Sequence, residues 1–256
     1  MKKYLIADII VVLSSFLLCL IISLTIKKSN YLECRNFSEV RKLEAYTDIV
    51  VDDDVNYDQK VEDFIKFAKK NSDNPYPKAA IIIEAKDNYR FYQNSFIQDV
   101  EILSLVDGSE NIDFENSKDT IFVVTSGFSD ETSETFKKRK NELYGYFGEE
   151  NVSNKIEKPS TFLNMRGLNI MKPGHRYLVF VSYTDYETNT MLFAIPFQYS
   201  WFDLDNEQKA VPIIPCDIYY TDFSENIDNE IFAESDKILD DYYRLKEEVI
   251  TYYGIS

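Results

Sequence analysis

The acidic run Asp52-x-Asp54-x-Asn56-x-Asp58 sets oxygen-bearing side chains at alternate positions, as a calcium-binding loop begins. Tyr57 stands where such a loop takes its turn-making glycine, Lys60 where it takes a further oxygen, and Asp63 where it takes a bidentate glutamate. These four residues are a weak metal candidate against a solvated acidic turn. Asp203-x-Asp205-x-Glu207, beside Trp201, repeats the pattern.

His175 is the one histidine, which excludes a two-histidine metal site and a second imidazole proton shuttle. A Cys216/His175 pair is the single route to thiol catalysis, and a turn-edge role for His175 after Pro173-Gly174 is the plainer reading. With 44 carboxylates, acid pairs fit for glycoside hydrolysis arise by chance and single out no residue. No G-x-S-x-G, G-x-G-x-x-G or Walker loop occurs. The basic run Lys137-Lys138-Arg139-Lys140 reads as a solvated helix end. No catalytic residue and no cofactor are expected.

Tyr4 to Ile26 is nearly continuous in apolar residues, with Leu13, Phe16 and Leu20 inside it and Asp8 near its start. About 20 such residues in a helix span a hydrocarbon core of roughly 30 Å. A cleaved export signal has a shorter apolar region and a small-x-small exit, whereas this exit reads Ser23-Leu24-Thr25-Ile26-Lys27-Lys28. Cys19 follows the bulky Leu18, unlike a lipoprotein site. The segment is expected to stay as a single-pass anchor with lipid as its partner. Lysines flank both ends, so the charge rule is nearly neutral. The basic start favours a cytoplasmic N-terminus and residues 29–256 outside the cytoplasm.

The chain carries 28 basic and 44 acidic residues, a net charge of −16. Such a surface repels phosphate backbones, which sets nucleic acid aside as a partner. Eighteen Phe and 19 Tyr suit pleated strands, and seven Gly are few for phosphate-cradling loops. Cys34 and Cys216 are either bridged or two buried thiols.

Four regions follow: an anchor over 1–28, a helical or irregular neck over 29–46, a β-rich body over 47–222 and a C-terminal helix over 223–256. In the body, Val61, Phe64, Ile65 and Ala68 recur at helical spacing before Asn74-Pro75-Tyr76-Pro77. Strands are expected over Ala79–Ala85, Phe96–Val106, Thr120–Thr125, Arg176–Tyr183, Met191–Phe197 and Val211–Ile214, with a helix between Asp130 and Phe147. From Asp228 to Tyr253, Ile231, Ile238, Tyr242, Leu245, Val249 and Tyr252 share one helical face that Gly254 ends. The fold class is β-rich α+β.

The run Ile81–Ile83, then Val100-Glu101-Ile102-Leu103-Ser104-Leu105-Val106-Asp107-Gly108, then Thr120–Thr125, then Leu168-x-x-Met171-Lys172-Pro173-Gly174-x-x-Tyr177-Leu178-Val179-Phe180-Val181 resembles exported bacterial proteins of unknown role. These have an OB-like barrel similar to the domain of tissue inhibitors of metalloproteinases and netrins. The resemblance covers roughly residues 45–205 and rests on structural positions. It implies an OB-like barrel with an inserted helix, and the apolar face of the C-terminal helix is expected to pack on that barrel, with a partner-binding helix as the alternative. Inhibition in that family uses an exposed N-terminal cysteine, which an anchored chain lacks, so the fold transfers and the inhibition does not.

The expected function is a membrane-anchored, extracytoplasmic, non-enzymatic binding or accessory protein with a protein or cell-envelope partner. Exposed aromatics at Tyr199, Trp201 and Phe202 are its weak ligand-binding candidates. A cell-envelope hydrolase using paired carboxylates and a small subunit of a membrane complex are the alternatives.

Overall fold

The β-branched and aromatic runs form strands because their side chains pack on a pleated surface. The computed structural model describes residues 11–22, 31–43, 45–50, 79–92, 95–108, 120–124, 128–130, 161–163, 165, 167–185, 190–194, 199–213 and 220–255. Two long strands dominate, β3 (Ala79–Tyr92) and β4 (Ser95–Gly108), joined as an antiparallel hairpin with three irregularities in register. β4 pairs with β5 (Thr120–Val124), and β5 runs parallel to β9 (Thr190–Ala194). β9 pairs with β8 (Arg176–Asp185), which returns to β3 along Ala79↔Val181 to Glu84↔Arg176. Five strands thus close into a ring.

Two short strands extend it. β1 (Tyr31–Cys34) pairs with the end of β3, Tyr31 opposite Tyr92. β10 (Trp201–Asp203) pairs with the first half of β8. A smaller sheet holds β11 (Tyr220–Asp222), β2 (Tyr46–Asp48), β7 (Thr161–Leu163) and β6 (Phe128–Asp130) in that order.

Alternation along β3 sends Ile81, Ile83, Ala85, Tyr89 and Phe91 into the core, where Phe96, Phe122, Val179 and Leu192 meet them. The other face of β3 and β4 carries charge. Lys86 lies 2.7 Å from Glu84 and 2.6 Å from Glu101, and those carboxylates, Glu101 first, raise its ammonium pKa. Beside it, Arg90 and Asn88 both bind Asp99.

Residues 11–22 are helical (α1), and α2 (Phe37–Val40) is a single turn capped by Asn36. α3 (Asp236–Tyr252) is the one long helix of the body among the described residues. Ser235 caps its start, and Gly254, at φ +62°, ends it with Ile255 N–H donating to Ile250. Ile238, Leu239, Tyr242, Leu245 and Val249 form its buried face. Tyr242 meets Tyr199 and Phe202, and Tyr253 meets Phe180.

The expected helix from Asp228 starts at Asp236 instead. The N–H groups of Phe232 and Glu234 bond Gly167 and Val50, and the carbonyls of Glu230, Phe232 and Ala233 accept from Asn169, Val50 and Ile213. A segment bonded outward in this way has no backbone groups left for a helix. Ile231 is buried in a bridge to Leu168, and Tyr252 is exposed. Gly167, at φ +78°, allows this approach, since a Cβ there would lie 2.3 Å from Val50 Cγ2.

The described residues of the expected neck over 29–46 belong to the body. β1, α2 and the start of β2 lie in it, and Cys34 and Val40 are core residues. Residues 211–213 form no strand, since Pro212 lacks a ladder donor. The helices read near 61–70 and 130–147 lie outside the described residues, apart from Asp130, which ends β6.

No helix among the described residues is long and apolar enough to cross a membrane. The twelve residues of α1 rise about 18 Å, short of a bilayer core. Leu13, Phe16 and Leu20 are exposed on α1, and Tyr4 and Ile26 lie outside the described residues.

Candidate functional site

The chemistry-bearing residues that the fold brings together are Asp203 at the end of β10, Glu230 before α3, Tyr242 and Lys246 on α3, Tyr177 on β8 and His175 just before it. β10 and β8 are in register at Asp203↔Tyr177, which sets the Tyr177 hydroxyl 3.0 Å from Asp203 Oδ2. The helical repeat places Tyr242 and Lys246 one turn apart on the face turned to Glu230.

Both carboxylates are buried, with side chains 2% exposed for Asp203 and 4% for Glu230. Glu230 Oε1 accepts from Tyr242 Oη at 2.6 Å, Lys246 Nζ at 2.9 Å and the Asp203 N–H at 3.0 Å. Its Oε2 accepts from Lys246 Nζ at 2.8 Å and Asn206 Nδ2 at 3.4 Å. Asp203 Oδ1 accepts the Asp205 N–H at 2.9 Å, and His175 Nδ1 lies 3.0 and 3.2 Å from its two oxygens. Tyr177 Oη in turn accepts the Lys172 N–H at 2.7 Å.

Burial first, and the Asp203 charge second, push the Tyr177 phenol well above its ordinary range. Burial and then Glu230 do the same for Tyr242. Both stay protonated donors at neutral pH. At the rim, the Arg176 guanidinium holds the Asp205 carboxyl below the usual carboxylate range through three contacts, the shortest 2.7 Å.

A general acid or base keeps one oxygen open to a substrate. Here both oxygens of each carboxylate already accept protein donors, with Lys246 on Glu230 and the Tyr177 hydroxyl and Asp205 N–H on Asp203. The arrangement fastens α3 and the 230–234 segment to β8 and β10. His175, with its side chain 31% exposed, lies at the network's edge, and its ring stacks on Tyr177.

The sequence candidates fall elsewhere. Tyr199, Trp201 and Phe202 are core residues, a correction to the expected exposed platform. β10 is covered on both faces: Trp201 meets Phe122 of β5 edge-on, while Phe202 meets Phe180 and Tyr242. Asp52, Asp54, Asn56 and Asp58 lie outside the described residues, as does Cys216. Cys34 is buried in the core. Asp203, Asp205 and Glu207 do not converge: the first is buried, the second holds Arg176 and the third is exposed. Among the described residues no group of three or more His, Cys, Asp or Glu is placed to hold a metal ion.

Glu230, Tyr242, Lys246 and Tyr177 escaped the sequence reading as site residues. The available signal was Lys246, which breaks the apolar face formed by Ile238, Tyr242, Leu245 and Val249. A lysine there needs a buried acid opposite it. A comparison with protein-family models, curated proteins and solved structures finds no match.

Proposed function

We propose that the chain is a membrane-tethered, extracytoplasmic binding or accessory module without enzymatic activity, and that its five-strand ring is an OB-like barrel. The observation that carries the tether is the exposure of α1. Val12, Leu13 and Phe16 are each more than 60% exposed, within an unbroken run of exposed, mainly apolar side chains on one helix, whereas the exposed apolar residues of the body are scattered. A helix apolar all round is at equilibrium only in apolar surroundings. Lipid supplies them, and residues 4–26 together have the length to cross it.

The ring order β3-β4-β5-β9-β8, with its one parallel pair at β5/β9, supports the barrel. OB-like barrels take ligands on one face and its loops. The outward side of β4, with Asp99, Glu101 and the exposed Leu103, is the surface to probe for a protein or cell-envelope partner. Saturation of Asp203 and Glu230 by protein donors supports a structural over a hydrolytic use of those acids.

Fractionation of cells making the full chain with a C-terminal tag tests the placement. The expected result is a tag that stays with membranes through alkaline extraction and is digested by protease added outside intact cells. A tag in the soluble fraction, or one reached only from the cytosol, overturns the reading.

A further inference from the structure

We infer that the end of the barrel formed by the β3–β4 turn and the start of β1, marked by Tyr92, rests in the phosphate-bearing headgroup layer of the bilayer that holds α1, while the Asp107 end points away. The inference rests on the tether proposed above and adds which surface meets the lipid.

The argument is one of chain length. On the Tyr4–Ile26 span, five Cα steps separate the last membrane residue from Tyr31, and a fully extended chain covers roughly 18 Å in that distance. Tyr31 is opposite Tyr92 in the β1/β3 ladder, and Tyr92 is opposite Ser95 in the hairpin. The Tyr92/Ser95 end of the hairpin therefore lies within that reach plus one strand spacing of about 5 Å from the hydrocarbon edge. Asp107 is opposite Ala80 at the far end of β3, twelve residues away, or about 40 Å along a strand. Tyr253 meets Phe180, which is opposite Ala80 in the β3/β8 ladder, and this places the end of α3 at the same distal level.

Tyr92 suits the near end. Tyr92 is a large side chain left 37% exposed at the near end, and tyrosine favours the boundary between hydrocarbon and water.

The test uses the full chain in phosphatidylcholine vesicles whose headgroups carry an energy-transfer acceptor. A fluorescent amino acid replaces Tyr92 in one preparation and Asp107 in another, and flotation is measured on both. The expected result is flotation, with the position-92 donor closer to the lipid than the position-107 donor by about 20–40 Å, the range left by strand tilt and twist. Flotation with equal or reversed distances overturns this orientation and leaves the tether standing. Failure to float overturns both. If the Tyr92 derivative does not fold, a donor at Ser95 reads the same end.

Discussion

Glu230 is held inside the protein by Tyr242, Lys246, Asn206 and the Asp203 N–H, which all donate to it. Removing one member of a buried ion pair strands the other, at a cost of about 3–5 kcal/mol, while replacing both by apolar groups is often nearly neutral. Glu230→Leu and Lys246→Met are each expected to lower stability by about that amount, with the double variant recovering part of the loss. Urea unfolding of the four proteins checks this, and strictly additive losses would show that the pair is uncoupled. The network was only partly legible in the sequence. Asp203 and Glu230 are 27 residues apart and resemble any of the chain's other acids, and nothing local marks them as buried. Trp201 and Phe202 misled for a related reason. Neighbouring strand residues point to opposite faces, and burying both requires cover on two sides, which β5 supplies at Trp201 and α3 at Phe202 from distant parts of the chain.

α3 is the element that the network and the aromatic contacts hold together. Leu245 is fully buried on its packed face, so Leu245→Ala is expected to destabilise the protein by about 2–5 kcal/mol, read as a lower denaturation midpoint at unchanged slope. A loss under half a kcal/mol would mean that α3 is not docked as described. The apolar spacing of this helix was legible, as were β3 and β8, whose Ile and Val runs are continuous. Its start was not, because the fate of residues 230–234 depends on Val50 and Gly167, more than 60 residues away. β10 is three residues long with a polar end, too short for any periodicity to register.

For the molecule as a whole, buried phenols set the alkaline limit. Tyr199 and Tyr243 are pushed up to about 12 by burial, and Tyr177 and Tyr242 are also raised. An unfolded tyrosine ionises near pH 10. Because the folded pKa values are higher, their contribution is complete below about pH 10 and is lost as pH rises through the folded values. Tyrosinate absorbance of these residues and loss of ellipticity are expected to rise together, and buried phenols that ionise while ellipticity persists would contradict the packing. Asp205 and Asp228, lowered by Arg176 and Arg41, act oppositely, with a contribution present above about pH 4 and lost below it. The ring also fixes the order in which the chain assembles. Ala79 cannot meet Val181 until the intervening hundred or so residues have been synthesised, so closure is a non-local event that slows folding. Through that interval one side of β3 is an open edge, available to neighbouring chains, and early association between nascent copies is the hazard this topology carries.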